Sequence, residues 1–306
     1  MLAYGGPIID AHHHLWPYGL GRHRWIDAGV EGGDKALPMG DVGALRRDVL
    51  PEDYLAAAEG CNIVATVHVE GGWQGGPPGE ETAWLDSLDR GTIAARHVFA
   101  VDLAASDASD QLDVEAAHPR AAGVRDVLAW HPEPSRSFVE ADKMGDAAWR
   151  SGLAALFERD LVFELMIFPW QMDDAARLID GFPNGRFVLD HCGSPVDRSK
   201  AGMRDWADGL SRLAERENLA IKASNPFAYD HDWTIDSLRL VVGHCIEAFG
   251  PARTMFGSDF PVSELHAPFA EMMSAYRALT ADLSADEQAD FFCGTAARTY
   301  RMENGR

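Results

Sequence analysis

The feature that most constrains the fold is a regular alternation of short apolar runs with helix-like segments along all 306 residues. Apolar residues, many of them β-branched or aromatic, fill each run, as is typical of buried parallel strands. The eight runs are GPIIDA, NIVATVHV, HVFAVDL, AGVRDVLAW, LVFELMIF, GRFVLDH, LAIKAS and RTMFGSD. Eight strand-helix units most simply close into a (β/α)8 TIM barrel, and the length fits a single domain over residues 1–306.

Two of the intervening segments, PEDYLAAAEG and DAAWRSGLAALFERD, carry clear helix signals. The segment PEDYLAAAEG, residues 51–60, has Pro51 in a position suited to a first turn and Gly60 where a helix would stop.

A doubly wound open sheet is the alternative fold for alternating strands and helices, but it often carries a Gly-rich phosphate loop. Neither GxGxxG nor GxxxxGK[ST] follows any of the eight runs, so the sequence favours the barrel.

The connection after the first run, about residues 15–50, is longer than the others and carries Trp16, Tyr18, Trp25 and the basic cluster 22–24. Connections of this length usually form lids or binding surfaces. In a barrel this loop lies at the carboxyl ends of the strands, where active sites are built.

Charge and cysteine content narrow the class of partner. Asp and Glu outnumber Lys and Arg by 48 to 27, which disfavours nucleic acid and anionic membranes and leaves a small molecule as the expected ligand. Four widely spaced cysteines without a CxxC pair disfavour a disulfide framework and a thiolate zinc site. The sequence shows neither a secretory leader nor a membrane span, so we expect a cytoplasmic protein of undetermined oligomeric state.

Three consecutive histidines stand in IIDAHHHLW, residues 8–16. A tag remnant or solvated loop residues would be alternatives to a functional site, but the run is embedded in a strand pattern. Because side chains alternate along a strand, His12 and His14 should point to one face and His13 to the other. Spacing of the HxH type presents two imidazoles to one ion or one substrate oxygen.

Two other strand ends carry side chains that fit such a site. The run FVLDHCG ends with His191, and TMFGSDFPV ends with Asp259. A carboxylate at the last strand end suits a general base for water, a metal ligand, or both. Alternatively, Asp259 has a purely structural role and caps the turn that begins at Phe260 and Pro261.

Further residues are candidates for contact with a substrate. Arg125 and Lys222 fall on the fourth and seventh runs, and either suits a carboxylate or hydroxyl, with the arginine better for a carboxylate. Their alternative is a buried ion pair with Glu70 or Glu164. The side chain of Glu70 should reach the barrel mouth. Tryptophans near the strand ends suit the walls for a ring, although packing is their commoner role; these are Trp25, Trp130 and Trp170.

Together these motifs resemble the amidohydrolase superfamily, in the amidohydrolase-2 branch that contains sugar-acid lactonases and hydrolases of pyrone and muconolactone carboxylates. The resemblance covers nearly the whole chain. It rests on IIDAHHHLW, PEDYLAAA, VATVHVEG, ETAWL, GVRDVLAW, LDHCGSP, FGSDFPV and GTAARTYRM.

The resemblance implies hydrolysis of a sugar-acid or ring-cleavage lactone. Asp259 would deprotonate water, and His12, His14 and His191 would polarise the carbonyl directly or through a metal. Members of the branch include both metal-bound and metal-independent enzymes. One divalent ion, with zinc the first choice, would take His12, His14 and Asp259 as ligands.

The chain departs from binuclear members of the superfamily, because its fourth run offers no bridging lysine or glutamate and its fifth run no histidine. A binuclear centre is therefore not expected. A metal-dependent decarboxylase of an aromatic or unsaturated acid is the alternative enzyme, but that branch typically supplies a histidine from the fifth strand. A non-catalytic barrel that binds sugars or acids is a third possibility.

Overall fold

In the computed structural model, which describes residues 4–32 and 38–302, eight strands form one parallel sheet in chain order. The strands are β1 (Ile8–His13), β2 (Ile63–Val69), β3 (Arg96–Ala100), β4 (Ala121–Arg125), β5 (Val162–Leu165), β6 (Arg186–Leu189), β7 (Leu219–Ser224) and β8 (Thr254–Gly257). Two backbone hydrogen bonds close the ring between the ends of the first and last strands. His14 N donates to Phe260 O over 2.7 Å, and Asp259 N donates to His12 O over 2.7 Å. The predicted (β/α)8 barrel is confirmed.

Helices connect the strands and surround them. They are α1 (Arg24–Gly32), α2 (Pro51–Ala57), α3 (Glu80–Ser87), α4 (Ala108–Ala116), α5 (Ala147–Glu158), α6 (Met172–Asp180), α7 (Lys200–Ala214), α8 (Ile235–Leu238), α9 (His244–Phe249), α10 (Phe269–Leu279), α11 (Ala285–Ala289) and α12 (Thr295–Thr299). Polar caps fix several starts; the side chain of Asp146, for example, accepts from Trp149 N at the start of α5. Within the described ranges no helix is long and apolar enough to cross a membrane.

The core has two parts. A large cluster, with Phe163, Phe187 and Phe256 among its members, lies between the strands and the helices. A smaller cluster takes side chains from nearly every strand, including Ile9 and Met255, and is joined by Tyr300 beyond α12. Layers of side chains of this kind fill the inside of a (β/α)8 barrel, so the inside is a packed core and not a pore. Space for a ligand is therefore found at the end of the barrel.

Several element boundaries differ from the sequence-based expectations. Strand β4 ends at Arg125 and not at 130, because the chain then leaves the sheet for a loop. Helix α2 ends at Ala57, three residues before Gly60, which instead has a left-handed φ of 79° in the following turn. The long loop after β1 is ordered partly by α1 and by paired backbone bonds between Trp16 and Val49. Residues 33–37 of this loop lie outside the described residues.

An aspartate inside β1 fastens this strand to the segment after β8. Asp10 Oδ1 accepts from Ser258 N at 2.7 Å, and Oδ2 accepts from the hydroxyls of Ser258 and Tyr54 at 2.5 and 2.7 Å. The side chain is fully buried. The carboxylate therefore satisfies three donors from two separate segments at the seam where the barrel closes.

Candidate active site

A shift in the register of the first strand affects the directions in which its histidine side chains point. Between Asp10 and His13 the register against β2 shifts, and such a shift re-aims the side chains that follow. His12 and His14 lie together, with ring centroids 5.0 Å apart, and both contact Asp259. His13 lies elsewhere, although it is equally buried.

The middle histidine has a packing role. His13 Nε2 lies 2.7 Å from the hydroxyl of Thr66, and its ring packs on Tyr54 of α2 with centroids 4.9 Å apart. The HxH pattern therefore separates the three histidines as the sequence predicts, but His13 is held inside the protein and not at its surface.

Asp259 is contacted by two histidines and by Asn225. Its Oδ1 lies 3.0 Å from His14 Nε2 and 3.4 Å from His12 Nε2, and its Oδ2 accepts from Asn225 Nδ2 at 2.6 Å. Burial alone would raise the pKa of this carboxyl, but the neighbouring His191 and His14 outweigh it and lower the pKa below the ordinary value. Asp259 is thus an ionised carboxylate, as a base or a metal ligand must be.

His191 follows β6 in a tight loop. Its Nδ1 lies 3.0 Å from the Ser224 hydroxyl, and its ring centroid is 4.6 Å from that of His12. Burial lowers the pKa of His191, which favours the neutral imidazole. Both His191 and Asp259 have left-handed backbone conformations, with φ of 50° and 56°. Non-glycine residues held in this region cluster at functional sites, because the surrounding structure must over-determine them.

A cavity of about 460 Å³ opens above these residues. At its polar end lie His14, Glu70, Arg125, His191 and Asp259. Its apolar wall includes Trp25, Met39, Phe138, Met166 and Val262. A mostly apolar cavity with a few convergent polar groups is the usual form of a small-molecule site. Trp25 and Met39 come from the long loop after β1, which therefore forms part of the wall.

Arg125 combines the two roles that the sequence leaves open. It lines the cavity, and it also forms an ion pair with Glu70, in which Nε donates to Oε1 at 2.6 Å and Nη2 to the Glu70 carbonyl oxygen at 2.8 Å. Its Nη1 lies 3.8 Å from Asp190 Oδ2. Burial alone would lower the pKa of Arg125, but the negative charges of Glu70 and Asp190 outweigh it and raise the pKa above its ordinary value, so the guanidinium keeps its charge.

Two predicted substrate contacts lie outside the cavity lining. Lys222 is fully buried beneath it and forms the ion pair that was the alternative for this residue, with Nζ 2.6 Å from Glu164 Oε2. Trp130 uses its backbone to bond the side chains of Gln171 and Trp170, and it stands to the side of the site. Both sit at this end of the barrel but do not face the space above Asp259.

The donor atoms of His12, His14 and Asp259 fit a single divalent metal. They lie within 4.8 Å of one another and all three side chains are buried. His14 Nδ1 lies 2.8 Å from the carbonyl oxygen of Val69, which can only accept, so Nδ1 carries a proton, and Nε2 lies 3.0 Å from Asp259 Oδ1. His12 Nε2 has no hydrogen-bond partner among the described residues. A cation, or a second proton on His14, satisfies this set of acceptors.

A second metal position does not fit. His12, Asp190 and His191 also bring ligand atoms within 4.8 Å of one another. However, the Lys222 ammonium lies 3.2 Å from His12 Nδ1 and 3.4 Å from Asp190 Oδ1. This positive charge already compensates the carboxylate, and a divalent ion beside it would be repelled. That the chain lacks a binuclear centre stays a prediction.

A family model described as amidohydrolase matches residues 9–302, which span every strand and each residue of the site. The chain belongs to the amidohydrolase family. The resemblance seen in the sequence motifs is therefore confirmed.

Relatives of this amidohydrolase are similar over their full lengths. An uncharacterized protein from Sinorhizobium fredii is 31% identical over 302 residues, covering 96% of this chain and 98% of that protein. An L-fucono-1,5-lactonase from Burkholderia multivorans is 30% identical over 312 residues, covering 97% of both proteins. A crystal structure of an amidohydrolase from Burkholderia multivorans with bound zinc has a TM-score of 0.81 at 28% identity, covering 97% of this chain and 100% of that one.

Two polar residues of the amidohydrolase site were not singled out from the sequence. Asn225 directly follows β7, and Asp190 directly precedes His191, so a search for polar residues at every strand end would have found both. Met166 and Phe138 of the apolar wall come from loops. No periodic pattern marks loop residues, so the sequence carries no comparable signal for them.

Proposed function

We propose that the protein hydrolyses the ester bond of a lactone. Asp259 takes a proton from water, and the water oxygen attacks the carbonyl carbon of the ring. The bond between that carbon and the ring oxygen then breaks, the ring oxygen takes the proton that Asp259 had accepted, and a hydroxy acid is formed. His14 and His191 line the cavity and His12 is buried against them, so these three histidines would polarise the carbonyl directly or through a metal. A fixed donor at the position where the carbonyl oxygen gains negative charge stabilises that charge by about 3 kcal/mol.

The observation that carries this proposal is the Asp259 carboxylate, which lines the cavity while Asn225 and His14 fix its two oxygens. An ionised, oriented carboxylate next to imidazole rings suits activation of water. The relative named L-fucono-1,5-lactonase, at 30% identity over nearly the whole chain, supports the same reaction class.

We further propose that His12, His14 and Asp259 hold one divalent ion, zinc in the first instance. When bound, such an ion supplies positive charge that polarises a carbonyl oxygen. Asn225 would then orient the carboxylate from the side that faces away from the ion.

Metal-dependent decarboxylation is the alternative. Against it stands the fifth strand, which offers Glu164 in place of a histidine. Glu164 is fully buried and is bonded to Lys222 and to the hydroxyl of Tyr300, so it does not face the cavity.

Incubation with a panel of sugar-acid and muconic lactones, monitored with a pH indicator, tests the proposal. Acid release without CO2 is the expected result. If every lactone is inert while an aromatic carboxylate yields CO2, the protein is a decarboxylase and the proposed function is wrong.

A further inference from the structure

We propose that Glu70 acts as a charge filter, which makes the cavity select lactones without a carboxylate group. It does so by occupying the arginine that would otherwise bind such a group. That the ligand is a lactone rests on the proposed function, whereas the preference for uncharged ligands depends only on the charges that line the cavity.

The hydrogen-bonding edge of Arg125 is already used. Arginine recognises a carboxylate best through two parallel N–H groups, and here Nε and Nη2 both point at Glu70. Glu70 is itself fixed, because its Oε2 accepts from Gly72 N at 2.7 Å. The side chains of Arg125 and Glu70 are only 8% and 6% exposed, so solvent screens their attraction weakly.

The remaining charges offer an anion no compensation. Among the described lining residues Arg125 contributes +1 and Glu70 and Asp259 contribute −2, which leaves −1 when histidines are counted as neutral. Behind the wall, the Lys222 ammonium is held by Glu164 and Asp190. As long as no divalent ion is bound, a ligand carboxylate would therefore lose its hydration without gaining, among the described residues, a cation that is not already paired.

An uncharged ring fits the same surfaces. Arg125 Nη1 is 3.8 Å from Asp190 Oδ2, beyond hydrogen-bond length, so this one nitrogen can still donate to a single ligand oxygen. A neutral hydroxyl or carbonyl oxygen needs no more than this bond, whereas a carboxylate also brings a negative charge that Glu70 repels. The apolar wall with Trp25 and Phe138 suits the C–H face of a sugar ring. The ligand class that follows is an uncharged, hydroxylated lactone.

The test compares two inert probes of equal shape, isophthalate and isophthalamide, whose binding is measured by NMR titration with EDTA present to exclude binding through a metal. Wild type should bind the diamide at least tenfold more tightly than the dicarboxylate. Glu70→Gln, which removes the negative charge, should shift this ratio at least tenfold towards the dicarboxylate. Glu70→Asp is the matched control, because it keeps the charge and should keep the wild-type preference.

Equal or tighter binding of the dicarboxylate by wild type overturns the inference, as does failure of wild type to bind the diamide. An unchanged ratio in folded Glu70→Gln also overturns it. The wild-type comparison requires no variant and stands if Glu70→Gln does not fold. Should the probes behave as expected while every lactone is inert, the proposed function fails and the charge filter holds.

Discussion

Asn225 donates from Nδ2 to Asp259 Oδ2 over 2.6 Å, across the ends of β7 and β8. Its Oδ1 accepts from Ala228 N at 3.2 Å, which fixes the orientation of the amide. With Oδ2 held in this way, Oδ1 of Asp259 is left to face His14. The position of the carboxylate thus depends on a residue that the chain holds in a left-handed conformation, with φ of 41°.

Removing this amide should lower turnover without disturbing the backbone. In Asn225→Gly, glycine accepts the left-handed φ, so the lost hydrogen bond is the main change, and we expect kcat/KM to fall about 10- to 100-fold. Asn218→Ala is the matched control, because Asn218 bonds Phe182 and Gly185 at the opposite end of β7. Steady-state kinetics that show equal losses in both variants would contradict a positioning role for Asn225.

Asp259→Asn tests the proposed base directly. An amide cannot accept the proton from water, so turnover should fall by about 10² to 10⁴. The size of the side chain is unchanged, and we expect the unfolding midpoint to shift little. Wild-type turnover in a correctly folded Asp259→Asn variant would remove this residue from the mechanism.

Metal content distinguishes the neighbouring histidines. After zinc loading and dialysis, elemental analysis should find about one zinc per chain in wild type and a large loss in His14→Ala, because three ligands define the proposed site. His13→Gln is the control, since His13 bonds Thr66 and is not part of the cluster. Zinc-free wild type, or equal loss in both variants, would contradict the proposed ligand set.

A histidine away from the site should make stability depend on pH. Burial, assisted by the charge of Arg90, lowers the pKa of His97 from 6.5 to about 3. As pH falls below about 6.5 the unfolded chain gains a proton at this position and the folded chain does not, so stability is lost. Between about pH 7.5 and about pH 5, wild type should lose about 2 kcal/mol relative to His97→Gln.

Denaturant unfolding of both proteins at the two pH values measures this difference, and other titrating groups cancel in the comparison. Glutamine is chosen because its oxygen can still accept from Arg90, as His97 Nε2 does. A difference that does not change with pH would show that His97 titrates alike in the two states.

The long loop after β1 is held near the cavity by two stacked histidines. His231 and His266 lie with ring centroids 4.0 Å apart, and their Nε2 atoms lie 2.8 Å from the carbonyl oxygens of Pro38 and Met39 respectively. Met39 lines the cavity. His266→Phe keeps the stack but removes one bond, worth about 1 kcal/mol, so we expect KM to rise about fivefold with kcat unchanged.

The control for this change is His244→Phe, because His244 bonds the Ala207 carbonyl oxygen in the outer helical layer. It should leave KM unaltered. A fall in kcat in His266→Phe without a change in KM would contradict a role confined to binding.

The sequence predicts the barrel well, because eight apolar runs report directly on strands that are buried on both faces. It also places His12, His14, His191 and Asp259 at one end, since the carboxyl ends of parallel strands share one edge. The sequence offers ion pairs of Arg125 and Lys222 with Glu70 or Glu164 only as an alternative to substrate contact, because the choice depends on distances across the barrel. Trp25 and Trp130 look equivalent in sequence, but only Trp25, which lies in α1, lines the cavity.

The seam between β1 and β8 joins residues that are 245 positions apart in the chain, His14 and Asp259. Every other strand can be in place while this contact is still missing, so synthesis must reach the last strand before any hydrolysis can begin. Measured activity therefore shows that the barrel has closed between β1 and β8. Two separately expressed fragments, divided in the outer helices, should each be inert and regain activity only when they reassociate.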